Sequence, residues 1–304
     1  MLLPLLLACS PVPSAPAPAP GAPASTTAAA ESMPPVAAPG PPPEGRPAPA
    51  RLVAIGDLHG DLEAALAVFR LAGLVDDGGA WSGGAAWLVQ TGDITDRGPD
   101  SRGVIALLRR LQGEARAAGG EVVPLLGNHE VMNLTGDWRY VSPADLASYG
   151  GEAVRKAAFA PTGDDGAWLV AQDAVARVGS TVFVHGGVDE RWSRLGVRGL
   201  NATIRAALLG QGPKDVLGPD GPLWNRAYVL SDPTTACAEL GRALTSLGAA
   251  RMVVGHTTQE DGRIGERCGG QLWAIDTGIS AHYGTHLAAL EIRAERVSPL
   301  YPSP

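Results

Sequence analysis

Gly92-Asp93-Ile94-Thr95-Asp96-Arg97-Gly98 decides how this chain is read. The apolar run before it, Ala85 to Val89, is too short for a helix but long enough for a buried strand. Just past that strand's end, two carboxylates and a guanidinium crowd into five positions bracketed by glycines. A carboxylate at the C-terminal edge of a strand is well placed to hold a metal ion. An Arg four residues on can fork onto a phosphate with two parallel hydrogen bonds. Taken alone, the heptapeptide fits an Asp/Gly turn with solvated charges equally well. Its neighbours separate the two readings.

The same design recurs on either side. Arg51 to Ile55 is a short β-rich run that ends in Gly56-Asp57-Leu58-His59-Gly60-Asp61, and Leu62 to Leu74 then carries apolar positions at helical spacing. Asp57 and His59 can both face a metal in the crevice beyond a strand's C-terminus, where open α/β sheets bind ligands. Asp61 reads as a helix N-cap. Beyond the opening heptapeptide, Pro99 sits where a helix's first turn tolerates it, and a helix runs from about Asp100 to Ala118. A third strand, Glu121 to Leu126, feeds Gly127-Asn128-His129-Glu130, although Pro124 is at odds with a central strand. Thr181 to Val184 leads to His185-Gly186-Gly187, and Arg251 to Val254 to Gly255-His256-Thr257. Strands at Gln271 to Ile275 and His286 to Ile292 close the chain. Pro143 to Val175 reads as helical with a break near Pro161 to Gly166.

Five strands thus end in Gly-containing loops that carry Asp, His, Asn or Arg, and four of the six histidines occupy those loops. A lone His there would be an ordinary structural side chain; four at equivalent strand ends are hard to explain that way. Asp57, His59, Asp93, Asn128, His185 and His256 make a mixed oxygen and nitrogen set. It suits manganese, iron or zinc, not calcium or thiolate-bound zinc. Six ligands exceed one tetrahedral site and suit two metals about 3.5–4 Å apart that share a carboxylate.

Composition bounds the partners. The net charge is −7 with a pI near 5.4, and no Lys/Arg run occurs, which argues against a nucleic-acid binder. Pro11 to Pro49 is a Pro/Ala/Gly tract with almost no large apolar side chains, so residues 10–50 read as a disordered spacer. Residues 51–304 are then one globular domain. Residues 1–9, Met1-Leu-Leu-Pro-Leu-Leu-Leu-Ala-Cys9, resemble the end of a bacterial lipoprotein signal, without a basic residue ahead of the apolar run. That resemblance implies export, with lipidated Cys9 anchoring the domain to a membrane or leaving it periplasmic; without it the reading is cytoplasmic. Cys237 and Cys268 are too sparse for structural zinc and, in an exported protein, are expected to pair.

The five blocks in this order resemble those of the calcineurin-like metallophosphoesterases. Asp96-Arg97-Gly98 and His129-Glu130 are similar to the phosphoprotein phosphatase version, and Gly136 to Tyr140 and Gly221 to Arg226 to its bacterial-type, Shewanella-like branch. The resemblance implies two mixed β-sheets packed as a sandwich, flanked by helices, with the active site at one edge. It also implies two divalent metal ions, one held by Asp57, His59 and Asp93 and the other by Asp93, Asn128, His185 and His256. His129 would be the general acid oriented by Asp96, with Arg97 and Arg226 clamping the phosphate beside Asn128. Where eukaryotic members carry Ser-Asp after the Leu-Trp, this chain has Asn225-Arg226. Tyr283 would be at most a wall residue. The implied reaction is in-line attack on a phosphomonoester by a hydroxide bridging the metals, with manganese as the expected metal. The branch points to a phosphorylated protein as substrate, phosphotyrosine ahead of phosphoserine. A small phosphoester such as a dinucleoside polyphosphate is the alternative within that chemistry. A catalytically silent metal- or phosphate-binding module is the alternative outside it.

Overall fold

The computed structural model describes residues 45–303, so the apolar N-terminus, Cys9 and most of the Pro/Ala tract lie outside the described residues. The chain alternates strands and helices through β1 (Leu52–Ile55), α1 (Leu62–Leu71), β2 (Trp87–Gln90), α2 (Ser101–Ala117), β3 (Glu121–Pro124) and α3 (Asn128–Thr135). Three short helices follow, α4 (Pro143–Ser148), α5 (Glu152–Phe159) and α6 (Asp164–Ala171). Then come β4 (Val175–Val178), β5 (Thr181–Val184), α7 (Glu190–Ser193), α8 (Gly196–Leu208), α9 (Ala227–Leu230), α10 (Pro233–Leu247) and β6 (Arg251–Val254). The strands β7 (Gly265–Arg267), β8 (Leu272–Ala274), β9 (Ala289–Arg293) and β10 (Arg296–Leu300) complete the described chain.

The strands form two five-stranded sheets, ordered β10-β9-β1-β2-β3 and β4-β5-β6-β8-β7. In each, three neighbouring strands run parallel (β1, β2, β3 and β5, β6, β8), and the strands at one or both margins run antiparallel. Strand alternation divides the core. Leu52, Ala54 and Val89 of the first sheet meet Phe183, Val253 and Trp273 of the second in one apolar layer between the sheets. Val53, Ile55 and Leu88 turn the other way onto Val68, Phe69, Leu108 and Leu111 of α1 and α2. Being buried on both faces, these strands read as continuous apolar runs. The expected sandwich of two mixed sheets with flanking helices is what the chain forms. It brings the C-terminal ends of six parallel strands to one edge.

Local expectations hold with some corrections. Asp61 caps α1 by accepting the Ala64 amide, and Asp100 caps α2 by accepting that of Gly103, so Pro99 lies just ahead of the cap and not in the first turn. Pro124 is tolerated because β3 is an edge strand, where a missing amide donor costs no ladder bond. The helical stretch from Pro143 breaks twice, at the left-handed Gly150-Gly151 as well as near Pro161, and Val175 opens β4 instead of ending a helix. The strand expected from His286 begins only at Ala289, and β10 follows it. The strands β4, β7 and β10 are sheet-margin strands with Arg, Glu, Ser or Pro in place of an apolar run, so hydrophobic pattern does not announce them. Arg46, which composition assigns to the spacer, already pairs with β4 through Arg177 and Gly179. Cys237 of α10 and Cys268 are disulfide-bonded, as expected.

Candidate metal centre

The loops after β1, β2 and β6 bend sharply to aim their side chains at the shared edge. His59, Asp93, Asp96, Arg97 and His256 have φ of 46°, 52°, 71°, 68° and 64°, in the left-handed region that non-glycine residues avoid. Such conformations cost about 1–3 kcal/mol each and persist only where the surroundings over-determine them. Here Glu130 supplies much of that constraint. One of its carboxylate oxygens accepts the Asp93 and Gly127 amides at 2.8 and 2.7 Å. The other accepts the Ile94 and Thr95 amides and the Thr95 hydroxyl at 2.9 to 3.0 Å. Two glycines permit the close approach of the loops: a Cβ at Gly127 would overlap Asp93 Oδ1, and one at Gly255 would overlap Asp57 Oδ1.

Four donor atoms converge beside His185. Its Nε2 lies 2.9 Å from Asn128 Oδ1, 3.1 Å from His256 Nδ1 and 3.2 Å from Asp93 Oδ1. His185 Nδ1 donates to the Thr91 carbonyl at 2.9 Å, which leaves its Nε2 for a cation. Oxygen and nitrogen atoms gathered this closely are the donor set of a metal ion. A second group forms on the other side of Asp93, whose Oδ2 is 3.6 Å from His59 Nε2. His59 Nδ1 faces the Thr95 carbonyl at 3.3 Å, which leaves its Nε2 for a cation as well. Two clusters able to hold a metal thus share Asp93: His59, Asp93 and His129, and Asp93, His185 and His256. Asp57 is adjacent, with its carboxylate 4.0 Å from His59 Nε2 and the His256 amide as its donor at 3.1 Å.

Burial and crowding set the charges. Asp57 and Asp276 are pushed above the usual carboxylate range, first by burial and then by neighbouring carboxylates. Burial opposes the charge of Asp93 too, but the His185 and His129 imidazoles outweigh it and hold its carboxyl well below the ordinary value. Burial lowers His59 to about 3 and His256 to about 2, so both are neutral ligands. His129 moves the other way: burial disfavours its cation, yet Asp93 and Asp96 raise it above the ordinary histidine value. His129 Nδ1 bonds Asp96 Oδ2 at 2.8 Å, and its Nε2 faces Asp93 Oδ2 at 3.8 Å.

The fold therefore brings together every site residue expected from the sequence. Arg97 stacks on Tyr140, its guanidinium 3.8 Å from the ring centroid, and Tyr140 in turn lies beside His129 with ring centroids 5.1 Å apart. Arg226 is exposed and its Nη1 donates to the His256 carbonyl. The buried Nε atoms of Arg97 and Nε2 of His256 have no hydrogen-bond partner among the described residues, as expected at a site built for an ion and an oxyanion. Tyr283 packs on His59, ring centroids 4.9 Å apart, and is indeed a wall. Sequence reading gave Glu130 no role and missed the sixth loop, where buried Asp276 follows β8 and accepts from Thr258 and Gly278. Its only sequence signal was an Asp just past an apolar run, Leu272 to Ile275.

Fold and site together define a metallophosphoesterase. The chain belongs to the calcineurin-like phosphoesterase family, whose family model matches residues 50–260. It is 33% identical over 298 aligned residues to Shewanella-like protein phosphatase 2 of Arabidopsis thaliana, covering 81% of this chain and 76% of the relative. Shewanella-like protein phosphatase 1 of Plasmodium berghei is 31% identical, over 77% of this chain and 69% of the relative. Among solved structures, the cold-active protein-tyrosine phosphatase of a psychrophilic Shewanella superposes with a TM-score of 0.75 at 28% identity, covering 88% of this chain and 82% of that one. The resemblance drawn from the five sequence blocks is borne out, and the chain is a metal-dependent phosphatase.

Proposed function

We propose that this phosphatase cleaves phosphomonoesters on proteins, phosphotyrosine in preference to phosphoserine, with two manganese ions as cofactor. One observation carries the reading: Asp93 stands between two clusters of metal-type ligands, with the hydrogen-bonded pair His129–Asp96 on the same edge. Asp57, His59 and Asp93 would hold one cation, and Asp93, Asn128, His185 and His256 the other. Asp57, not His129, takes the first cation in this reading, because a buried carboxylate whose donor is one backbone amide needs a counter-charge. When bound, two such ions neutralise the carboxylates and supply an activated water at neutral pH, aligned for in-line attack.

The chain's own groups do the rest. Arg97 and Arg226 present guanidinium groups to the phosphate dianion, which an acidic protein otherwise repels. His129 donates from Nε2 to the departing oxygen while Asp96 holds its Nδ1 proton and so fixes the tautomer. The support that Asp96 lends the imidazolium persists when cations neutralise Asp93. A phenolic oxygen, with Tyr near pKa 10, needs less of that proton than an alkoxide. The aromatic edge of Tyr140 and Tyr283 and the tyrosine phosphatase named among the structural relatives favour the same substrate. The Cys237–Cys268 disulfide supports an exported, oxidising setting.

The test is a substrate panel with the full chain and manganese: p-nitrophenyl phosphate, phosphotyrosine and phosphoserine peptides, and a dinucleoside polyphosphate. We expect turnover that chelator abolishes and manganese restores, with kcat/KM about tenfold or more higher on the phosphotyrosine peptide, a difference of about 1.4 kcal/mol. Preference for the nucleotide anhydride would overturn the substrate. Metal binding without turnover of any substrate would mark a binding module.

A further inference from the structure

Arg155 lies on α5, outside all the loops that build the site, yet it is the largest fully buried side chain among the described residues. A guanidinium this deep requires partners, and each of its nitrogens has one. Nε donates to Asp145 Oδ2 at 2.8 Å, Nη1 to Asn133 Oδ1 at 2.6 Å, and Nη2 to Asp96 Oδ1 at 3.4 Å. Its planar head is boxed in by rings, with the Phe159, Tyr149 and Trp138 centroids 4.2, 5.5 and 5.6 Å from Cζ.

These bonds converge on the carboxylate behind His129. Asp96 is fully buried and has two oxygens to satisfy. Oδ2 takes the His129 Nδ1 proton, and Oδ1 takes Asn133 Nδ2 at 2.9 Å together with Arg155. Arg155 also fixes which way the Asn133 amide points, since claiming its oxygen turns its nitrogen towards Asp96. Asp145 ties down the same unit from below: it accepts the Ser101 amide at 2.6 Å, and Ser101 Oγ accepts the Asp96 amide at 3.1 Å. We infer that Arg155 is a positioning residue for proton transfer to the leaving group: it pins Asp96 Oδ1, directly and through Asn133, so that Oδ2 alone faces His129. The inference rests on reading His129 as the proton donor. Arg155 touches neither substrate nor metal ligand and acts only through Asp96.

A purely structural arginine would, when removed, lower all rates together or empty the metal site. A positioning residue for the acid predicts a selective defect instead. The experiment compares wild type, Arg155→Lys, Arg155→Met and His129→Ala, all as full-length manganese-loaded protein, on phenyl phosphate and p-nitrophenyl phosphate. These substrates differ little in size, but p-nitrophenol is the more acidic leaving group. We expect Arg155→Met to lower kcat on phenyl phosphate about 100-fold and on p-nitrophenyl phosphate less than about tenfold, with KM nearly unchanged, the same leaving-group bias expected of His129→Ala. Arg155→Lys should recover part of the loss. In metal-free, 15N-histidine-labelled protein, the low-field proton on His129 Nδ1 should persist in Arg155→Lys and vanish in Arg155→Met. If Arg155→Met folds poorly, Arg155→Met/Asp145→Asn, which removes the charge and one partner together, carries the same measurements. Equal losses on both substrates, a raised KM with unchanged kcat, or an unaltered His129 proton would overturn the role of Arg155. Unbiased loss in His129→Ala itself would instead overturn the proton-donor reading, and this inference with it.

Discussion

At the scale of single residues, the site shifts the same kind of side chain in opposite directions. His59 and His256 are buried and driven neutral, to about 3 and about 2, whereas Asp93 and Asp96 raise His129, next to Asn128, above the ordinary histidine value against its burial. Ligands need lone pairs and an acid needs a proton, and burial against pairing decides which is which. His129→Ala should therefore retain its metal while kcat on phenyl phosphate falls by about 10²–10⁴ and KM barely moves; steady-state kinetics with metal analysis of the same sample checks this. Loss of one metal in that variant would make His129 a ligand in place of Asp57. Arg226 is exposed, and among the described residues its side chain donates only to the His256 carbonyl. Arg226→Ala should raise KM about 10–100-fold, the worth of one charge-assisted contact of about 1.5–3 kcal/mol, with little change in metal content.

At the scale of elements, the strand-end loops are coupled by Glu130, which binds the loop after β2 to the start of α3. Glu130→Gln replaces an acceptor of five hydrogen bonds by a group that must donate with one end. It should cost at least about 2 kcal/mol in urea unfolding, and a loss within error would show that the loops hold their left-handed turns unaided. This division explains what the sequence revealed. Asp57, His59, Asp93, Asn128, His185 and His256 were legible because each lies in a glycine-containing loop just past an apolar, doubly buried strand, a pattern local in the chain. Glu130 and Arg155 were not, because a charged residue on a short helix reads as solvent-facing until long-range packing shows what surrounds it. Asp276 was passed over for another reason: its strand was expected at Gln271 to Ile275, but the loop after it opens Asp276-Thr277-Gly278 with no second ligand-type side chain beside the Asp. The marginal strands β7 and β10 escaped because edge positions tolerate the polar residues and the Pro that argue against a strand elsewhere.

At the scale of the whole molecule, a chain of net charge −7 binds an anion by gathering cations at one edge. The fold's pH response reflects what the site lacks without them. Between about pH 6.5 and about 3 the unfolded chain protonates at His59 and His256 while the folded chain does not, so their contribution to stability falls as pH drops through that window. Asp57 and Asp276 act in the opposite sense. With folded pKa values raised, they bind protons that the unfolded chain has already released, and their contribution is lost as pH rises above the ordinary carboxylate range. Manganese at about 100 times its Kd at pH 7.5 should add about 2.7 kcal/mol, and less as pH falls, because an ion entering the site must displace the proton that the raised pKa of Asp57 favours. Thermal unfolding across a pH series reads this, and a gain that does not fall with pH would contradict Asp57 as a ligand. The most direct measurement of the account is the metal content, by elemental mass spectrometry, of wild type and Asp93→Asn after manganese loading and desalting. Two ions per wild-type chain and fewer than one in the variant are predicted, because Asp93 alone stands in both clusters. Equal content in the two proteins would contradict a shared dinuclear centre.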